Sequence, residues 1–283
     1  MAEAEPKSVR AVEATVNYLG DMTEQPVFNV VDFSKTNIKL RPETVRITDA
    51  RALETAPSLD TEGFALVSHK SALSNFRDSD ELERVYLPEI ADLIKAVTGA
   101  SVVISSPGPI ARYADRKDEA AAKGTADAAR FAHTDYSDVS ARDHFLPQLM
   151  DPDEAFRRFR RITVYQTWRA LSGPYQDVPL TVTDGRTVRK SDMVTSLTVL
   201  GTEYTGTHAE NSSFEFSLCR YHPDHRWYYF SQMRPDEVLI FKGYDFDPEQ
   251  PSRLFHTAFD DPSVPTGTPP RASVEARAFA FFE

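Results

Sequence analysis

The stretch Arg271-Ala-Ser-Val-Glu-Ala-Arg-Ala-Phe-Ala-Phe-Phe282 decides the fold. It alternates as an extended strand does, with side chains i and i+2 on one side of a sheet. Arg271, Ser273, Glu275 and Arg277 share one face, and Ala272, Val274, Ala276 and Ala278 share the other. Phe279 and Phe281 then continue the polar row. An exposed sheet edge explains a ladder of charges, but not two large aromatic rings in the same row. A polar-lined pocket inside a barrel explains both. Arg271 beside Ser273 also suits a substrate carboxylate, because guanidinium and hydroxyl offer it donors from one face.

The rest of the C-terminal half agrees. Residues 161–171, 178–182, 214–221, 227–231, 237–244 and 254–259 are dense in β-branched and aromatic side chains, the composition of strands. Turn signals such as Ser172-Gly-Pro, Thr183-Asp-Gly, Tyr221-His-Pro-Asp and Arg234-Pro-Asp separate them. Earlier, residues 14–19, 45–48, 64–69 and 101–106 read as shorter extended pieces. One helical region runs from 79 to about 97, where Leu82, Val85, Tyr86, Ile90, Leu93, Ile94 and Val97 keep a 3.6-like period. Gly99 suits its end, and Pro88 should kink it or start a second helix. Asp151 and Pro152 open a short helix as cap and first residue. Residues 107–130 read as a loop, either a tolerated insertion or a functional lid, and 183–213 as a polar rim. The expected fold is mainly β: a double-stranded β-helix (jelly roll) with supporting helices on one face. One domain should span 1–283, with 1–100 packing on a core formed by 101–283.

Composition narrows the function. There are 43 acidic against 32 basic residues, a formal net charge of −11, which argues against nucleic-acid binding through phosphates. Cys219 is the only cysteine, so no intramolecular disulfide forms and a reducing compartment is expected. No apolar run approaches the ~20 residues of a membrane helix, and no secretory signal is visible. A soluble cytoplasmic protein with a small-molecule substrate is expected; a homodimer stays open.

His133-Thr134-Asp135 carries the chemistry. On a strand, an imidazole and a carboxylate at i and i+2 face one space, about 6–7 Å apart at Cα. His256, between Leu254-Phe255 and Ala258-Phe259, supplies a third donor if its strand lies alongside. Two His and one carboxylate on one face of a metal is the arrangement of non-haem Fe(II) oxygenases. A His-x-Asp pair alone is weak evidence, and a lone His in an apolar strand is more often a core residue. The three together reverse that balance. Arg169 is either a surface residue or a second anchor for an acidic cosubstrate, and Arg277 is a further candidate. Tyr136, Tyr165 and Trp168 are candidate substrate contacts, although strand aromatics are usually core. His222 and His225 flank a Pro-Asp turn, where a solvated loop is expected.

Blocks along the whole chain look like one family: Ala14-Thr-Val-Asn-Tyr-Leu, Glu62-Gly-Phe, Tyr86-Leu-Pro-Glu, Thr98-Gly-Ala, His133-Thr-Asp, Trp168-Arg169, Pro235-Asp-Glu-Val-Leu-Ile-Phe-Lys, His256-Thr-Ala-Phe-Asp-Asp-Pro and Arg271-Ala-Ser-Val-Glu-Ala-Arg. The chain resembles the fungal AsaB-like hydroxylase/desaturase family, related to gibberellin desaturase and the cephamycin 7α-methoxylation component. That resemblance implies Fe(II), 2-oxoglutarate and O2 as cofactors, with oxidation of a small apolar natural product, terpenoid or meroterpenoid, in secondary metabolism. It implies His133, Asp135 and His256 as iron ligands and Arg271 with Ser273 as the clamp on 2-oxoglutarate. Asp135 at the ligand position argues against halogenation, which needs that place free for halide. The chain departs from the family at Thr167-Trp-Arg-Ala and at residues 105–112, so hydroxylation, desaturation, rearrangement and endoperoxidation all stay open. The rivals are a jelly-roll binding protein without turnover and a zinc hydrolase using the same three ligands.

Overall fold

The computed structural model describes residues 10–30, 32–113, 129–200, 213–251 and 253–283. Residues 114–128 of the loop expected over 107–130 and residues 201–212 of the rim expected over 183–213 lie outside them.

Four strands, β1 (Ala11–Leu19), β2 (Val27–Asn29), β3 (Leu40–Asp49) and β4 (Phe64–Ser68), precede the helical region. Next come β5 (Val102–Ser105), β6 (Ile110–Arg112) and β7 (His133–Thr134). The remainder are β8 (Arg161–Ala170), β9 (Leu180–Thr183), β10 (Met193–Val199), β11 (Ser213–Cys219), β12 (Trp227–Tyr229), β13 (Glu237–Asp245), β14 (His256–Ala258) and β15 (Ser273–Phe282). They form two sheets, one ordered β1-β3-β12-β9-β14-β7-β11-β10-β2 and the other β4-β13-β8-β15-β5, with β6 also on β15. Inner faces of both sheets meet in an apolar layer of Trp168, Leu239 and Phe241 from one and Leu180 and Val182 from the other. This is the expected jelly roll.

The β15 pattern resolves as its alternation demands. It pairs with β8 from Ser273↔Ala170 to Phe282↔Arg161, so Glu275, Arg277, Phe279 and Phe281 lie beside Trp168, Gln166, Val164 and Ile162 on the inner face. The outer row, Val274, Ala276, Ala278 and Ala280, packs under Leu87, Ile90 and Ile94 of α1 (Leu87–Thr98). Alanines there let a helix backbone approach the sheet. Phe279 and Phe281 join Ile162, Val164 and Tyr136 in a separate inner cluster.

Pro88 lies in the first turn of a second helix, α1, the second of the two expected outcomes. A short turn at Ser79–Glu81 passes into a π-helical segment, Leu82–Tyr86, and then into α1. The Leu87 amide bonds to the Leu82 carbonyl, an i→i+5 bond. A proline clashes with the carbonyl four residues back, and widening the preceding turn relieves that clash. Gly99 ends α1 in the left-handed region at φ 70°. Asp151 caps α2 (Pro152–Arg158) by accepting from the Glu154 amide.

Two expectations need correction. The polar rim contains β10, paired along its length with β11. Its hydroxyls hid it: Ser196 is buried, and its Oγ donates to the Val194 carbonyl. His225 is not solvated. Its ring is buried, with Nε2 3.1 Å from Asp192 Oδ2, and it stacks on Tyr18.

Ile90→Ala should lower stability by about 2–5 kcal/mol, since the Ile90 side chain of α1 is fully buried against β15. A urea titration measures this, and metal affinity should be unchanged because α1 covers only the outer face.

Candidate active site

β7 is two residues long and wedged between β11 and β14, with His133 opposite Leu218 on one side and His256 on the other. A directly opposed cross-strand pair brings side chains together, and the two imidazole centroids lie 4.3 Å apart. His133 Nδ1 donates to the Phe131 carbonyl at 2.9 Å. That bond fixes the tautomer and leaves Nε2 with a lone pair, the usual arrangement behind a metal-binding histidine. The His256 ring rests against Phe241, and its Nδ1 is buried without a hydrogen-bond partner.

Asp135 follows β7 in a bend, held where the Thr134 hydroxyl donates to the Tyr136 carbonyl and accepts from the Tyr136 amide. Its Oδ1 lies 3.3 Å from His133 Nε2 and 3.6 Å from His256 Nε2. Its Oδ2 accepts from Gln166 Nε2 at 2.8 Å and Arg277 Nε at 2.7 Å, and lies 2.5 Å from Arg277 Nη2 in the same ion pair. One donor atom from each of His133, Asp135 and His256 lies within 4.8 Å of the others.

Electrostatics favour the metal-ready protonation states. Burial works to raise the Asp135 pKa, but the Arg277 guanidinium and the two imidazoles hold the carboxyl well below its usual range. Burial, aided by the neighbouring His133, pushes His256 down to about 3. A neutral imidazole and an ionised carboxylate need shed no proton to bind a cation at neutral pH. The donor set suits Fe(II): two nitrogens and one oxygen on one side, with no cation of the protein between them.

Arg271 and Ser273 stand at the start of the same inward row. The buried Arg271 donates Nη1 to the Val178 carbonyl at 2.7 Å, and its guanidinium lies 5.6 Å from the Trp168 ring centre. Burial lowers its pKa to about 10. Among the described residues no carboxylate lies within ion-pair distance of it. The Ser273 hydroxyl and the Trp168 indole Nε1 are also buried with no partner. Buried charges are ordinarily paired, so an unpaired guanidinium beside two unused polar groups fits a carboxylate brought in by a small molecule. Nearby, Glu275 is taken by Arg112 at 3.0 Å.

Other candidates resolve differently. Arg277 is engaged by Asp135. Arg169, one residue past Trp168, points to the opposite face of β8. There it donates to the His69 and Pro235 carbonyls and to the Tyr86 hydroxyl, so it serves neither as a surface residue nor as a second anchor. Tyr165 also faces outward, buried with Ile240 and the α1 side of the sheet, so it lines no inner cavity. Tyr136 turns into the cluster with Phe145 and Phe279. Trp168 does face inward, but under Arg271. Gln166 escaped the sequence reading because a polar residue among strand aromatics gives no signal until its neighbour is known.

A family model described as "Oxidoreductase/YMDC permease-like domain" matches residues 16–281. Among curated proteins, the Fe(II)/2-oxoglutarate-dependent dioxygenase nvfI of Aspergillus novofumigatus is 32% identical over 88% of this chain and 86% of its own length. The hydroxylase/desaturase efuI of Hormonema carpetanum is 31% identical over 96% and 95%. The chain belongs to this family of fungal Fe(II)/2-oxoglutarate-dependent dioxygenases and hydroxylase/desaturases. A solved structure of the family, the iron and alpha-ketoglutarate-dependent endoperoxidase NvfI, superposes with a TM-score of 0.80 at 28% identity, covering 98% of this chain and 99% of that one. Despite the family model's wording, no helix among the described residues is long and apolar enough to cross a membrane.

The depressed His256 and Asp135 pKa values set a pH dependence for the metal-free protein. Its unfolded state takes up a proton on His256 below about 6.5, whereas the folded state resists protonation to about 3. Stability should therefore be complete above pH 6.5 and fall as pH drops from there toward 3, with Asp135 adding to the loss below 3.8. Denaturant midpoints across pH 3–8 measure this, and His256→Gln should flatten the upper part of the slope.

Proposed function

We propose that this chain is an Fe(II)- and 2-oxoglutarate-dependent dioxygenase that oxidises a small apolar natural product, with a terpenoid or meroterpenoid skeleton as the favoured class. His133, Asp135 and His256 would hold the iron, and one oxygenase domain would span the chain. Arg271, with Ser273 and Trp168 beside it, would hold the distal carboxylate of 2-oxoglutarate. The observation that carries the reading is the unpaired, buried Arg271 guanidinium on the same inward row as the Asp135 clamp. A zinc hydrolase needs no such cation, and family membership favours neither rival.

When bound, iron would activate dioxygen, the oxidant, while 2-oxoglutarate would give up two of the four electrons and leave as succinate and carbon dioxide. The protein's part is placement and exclusion of water. His133, His256 and the Arg277-held carboxylate bring three donors together on one side. Arg271 orients the cosubstrate through charge-assisted bonds in a buried setting. Beside His133, the rings of Phe131 at 5.0 Å and Phe216 at 6.4 Å, with Phe28 stacked edge-on to Phe131, form an apolar wall. Such a wall supports an apolar substrate and has nothing to offer a charged one. Hydroxylation, desaturation, rearrangement and endoperoxidation all begin with this placement. A cytoplasmic, reducing location suits both ferrous iron and the buried, unpaired Cys219.

Anaerobic addition of Fe(II) and 2-oxoglutarate should give a weak visible charge-transfer band that His133→Ala and His256→Ala abolish. A colourless protein that binds zinc tightly and forms no succinate would reverse the reading. Arg271→Ala should retain metal but weaken 2-oxoglutarate binding by about 1.5–3 kcal/mol, roughly 10–150-fold in Kd. Unchanged cosubstrate affinity would move the anchor elsewhere.

A further inference from the structure

Gln166 on β8 and Gly243 on β13 lie on neighbouring strands behind Asp135. Asp135 Oδ2 already accepts two hydrogen bonds, one from Arg277 Nε on β15 and one from Gln166 on β8, with Arg277 Nη2 also at ion-pair distance. Its remaining capacity is small, so Oδ1 is the oxygen left to face the imidazoles. Arg277 supplies the opposing full charge. A second donor from the next strand also fixes the rotation of the carboxylate about its own axis.

Gln166 is itself held tightly. It is buried, and its Oε1 has no hydrogen-bond partner. Turning the amide over would set Oε1 against a carboxylate oxygen, so the donating orientation is the one the site accepts. β13 breaks register with β8 between Lys242 and Tyr244, at Gly243. A Cβ on Gly243 would stand 2.7 Å from Gln166 Oε1, 3.0 Å from its Cγ and 3.1 Å from its Cδ. The backbone there does not demand glycine, since Gly243 is not among the glycines with positive φ. The demand comes from the neighbouring side chain. A β-bulge of this kind re-aims what lies beside it, and here the bulge opens a notch that the carboxamide fills.

We propose that Gln166 is a positioning residue for the Asp135 carboxylate and that Gly243 is the notch that admits it, so that Asp135 offers the metal one oxygen only. The proposal rests on the iron-binding reading above. A single-oxygen ligand keeps one more position on the metal free for cosubstrate and dioxygen than a carboxylate binding through both oxygens.

The test is Co(II) binding under anaerobic conditions, with the ligand-field spectrum recorded, on the full-length protein and three variants. Gln166→Met keeps the length without the donor and should weaken Co(II) binding about 10–100-fold, the cost typical of losing a ligand's supporting hydrogen bond. Its spectrum should shift, because Oδ2 becomes available. Gly243→Ala should weaken binding in the same direction by displacing Gln166. In a Gln166→Ala background the methyl meets no obstacle, and Gly243→Ala should then change the Co(II) Kd by less than twofold. Equal Co(II) affinity and spectrum in Gln166→Met would overturn the positioning role, as would a Gly243→Ala cost that is the same in both backgrounds. Wild-type protein that binds no Co(II) would instead overturn the iron-binding reading from which the proposal starts.

Discussion

The Asp135 carboxylate joins the two sheets of the jelly roll. Its chain position belongs to the nine-stranded sheet, beside His133 and His256, while its Oδ2 is gripped from the other sheet by Gln166 and Arg277. A buried carboxylate without partners would neutralise rather than stay charged. Breaking a buried ion pair by removing one member costs about 3–5 kcal/mol. The geometry of the three donors therefore depends on the register of β15 against β8, which sets Arg277 opposite Gln166. A one-residue slip would send Arg277 to the helix-covered face and leave Asp135 charged and alone.

That dependence explains how one short sequence serves two layers. On the outer face of β15 the alanines admit α1, and on the inner face the polar row builds the site. Neither face can change register without ruining the other. Stability of the cover and geometry of the centre are thus coupled through a single strand, although α1 touches none of the donors.

Much of this was legible from residue order. The alternation 271–282 gave the inner and outer faces, and the i, i+2 spacing of His133 and Asp135 gave two donors to one space. The resemblance to the hydroxylase/desaturase family supplied the cosubstrate. What stayed hidden depended on strand parity or on partners far along the chain. Tyr165 and Trp168 look equivalent in a run of aromatics, yet three positions apart on a strand they face opposite sides. Arg169 looked like an anchor because nothing in its own strand pairs with it; its partners are carbonyls 100 and 66 residues away. β10 escaped because its buried hydroxyls bond to the backbone and read as a polar rim. Gln166 acquires meaning only beside Asp135 and Gly243, neither of which is near it in sequence.

The charges around the inner row leave a local positive excess at Arg271. Arg112, Arg271 and Arg277 face Asp135 and Glu275, three cations against two carboxylates. Arg277 is matched to Asp135 and Arg112 to Glu275. Glu275 also feels the charges of Arg277 and Arg271. The surplus falls on Arg271, the one with a stacked indole, a single protein carbonyl for its Nη1 and an unused serine hydroxyl close by. A divalent metal adds two positive charges beside Asp135 and deepens the local excess. A dicarboxylate placed between metal and guanidinium answers both at once, which is why affinity for the cosubstrate and affinity for the metal should rise together in this site.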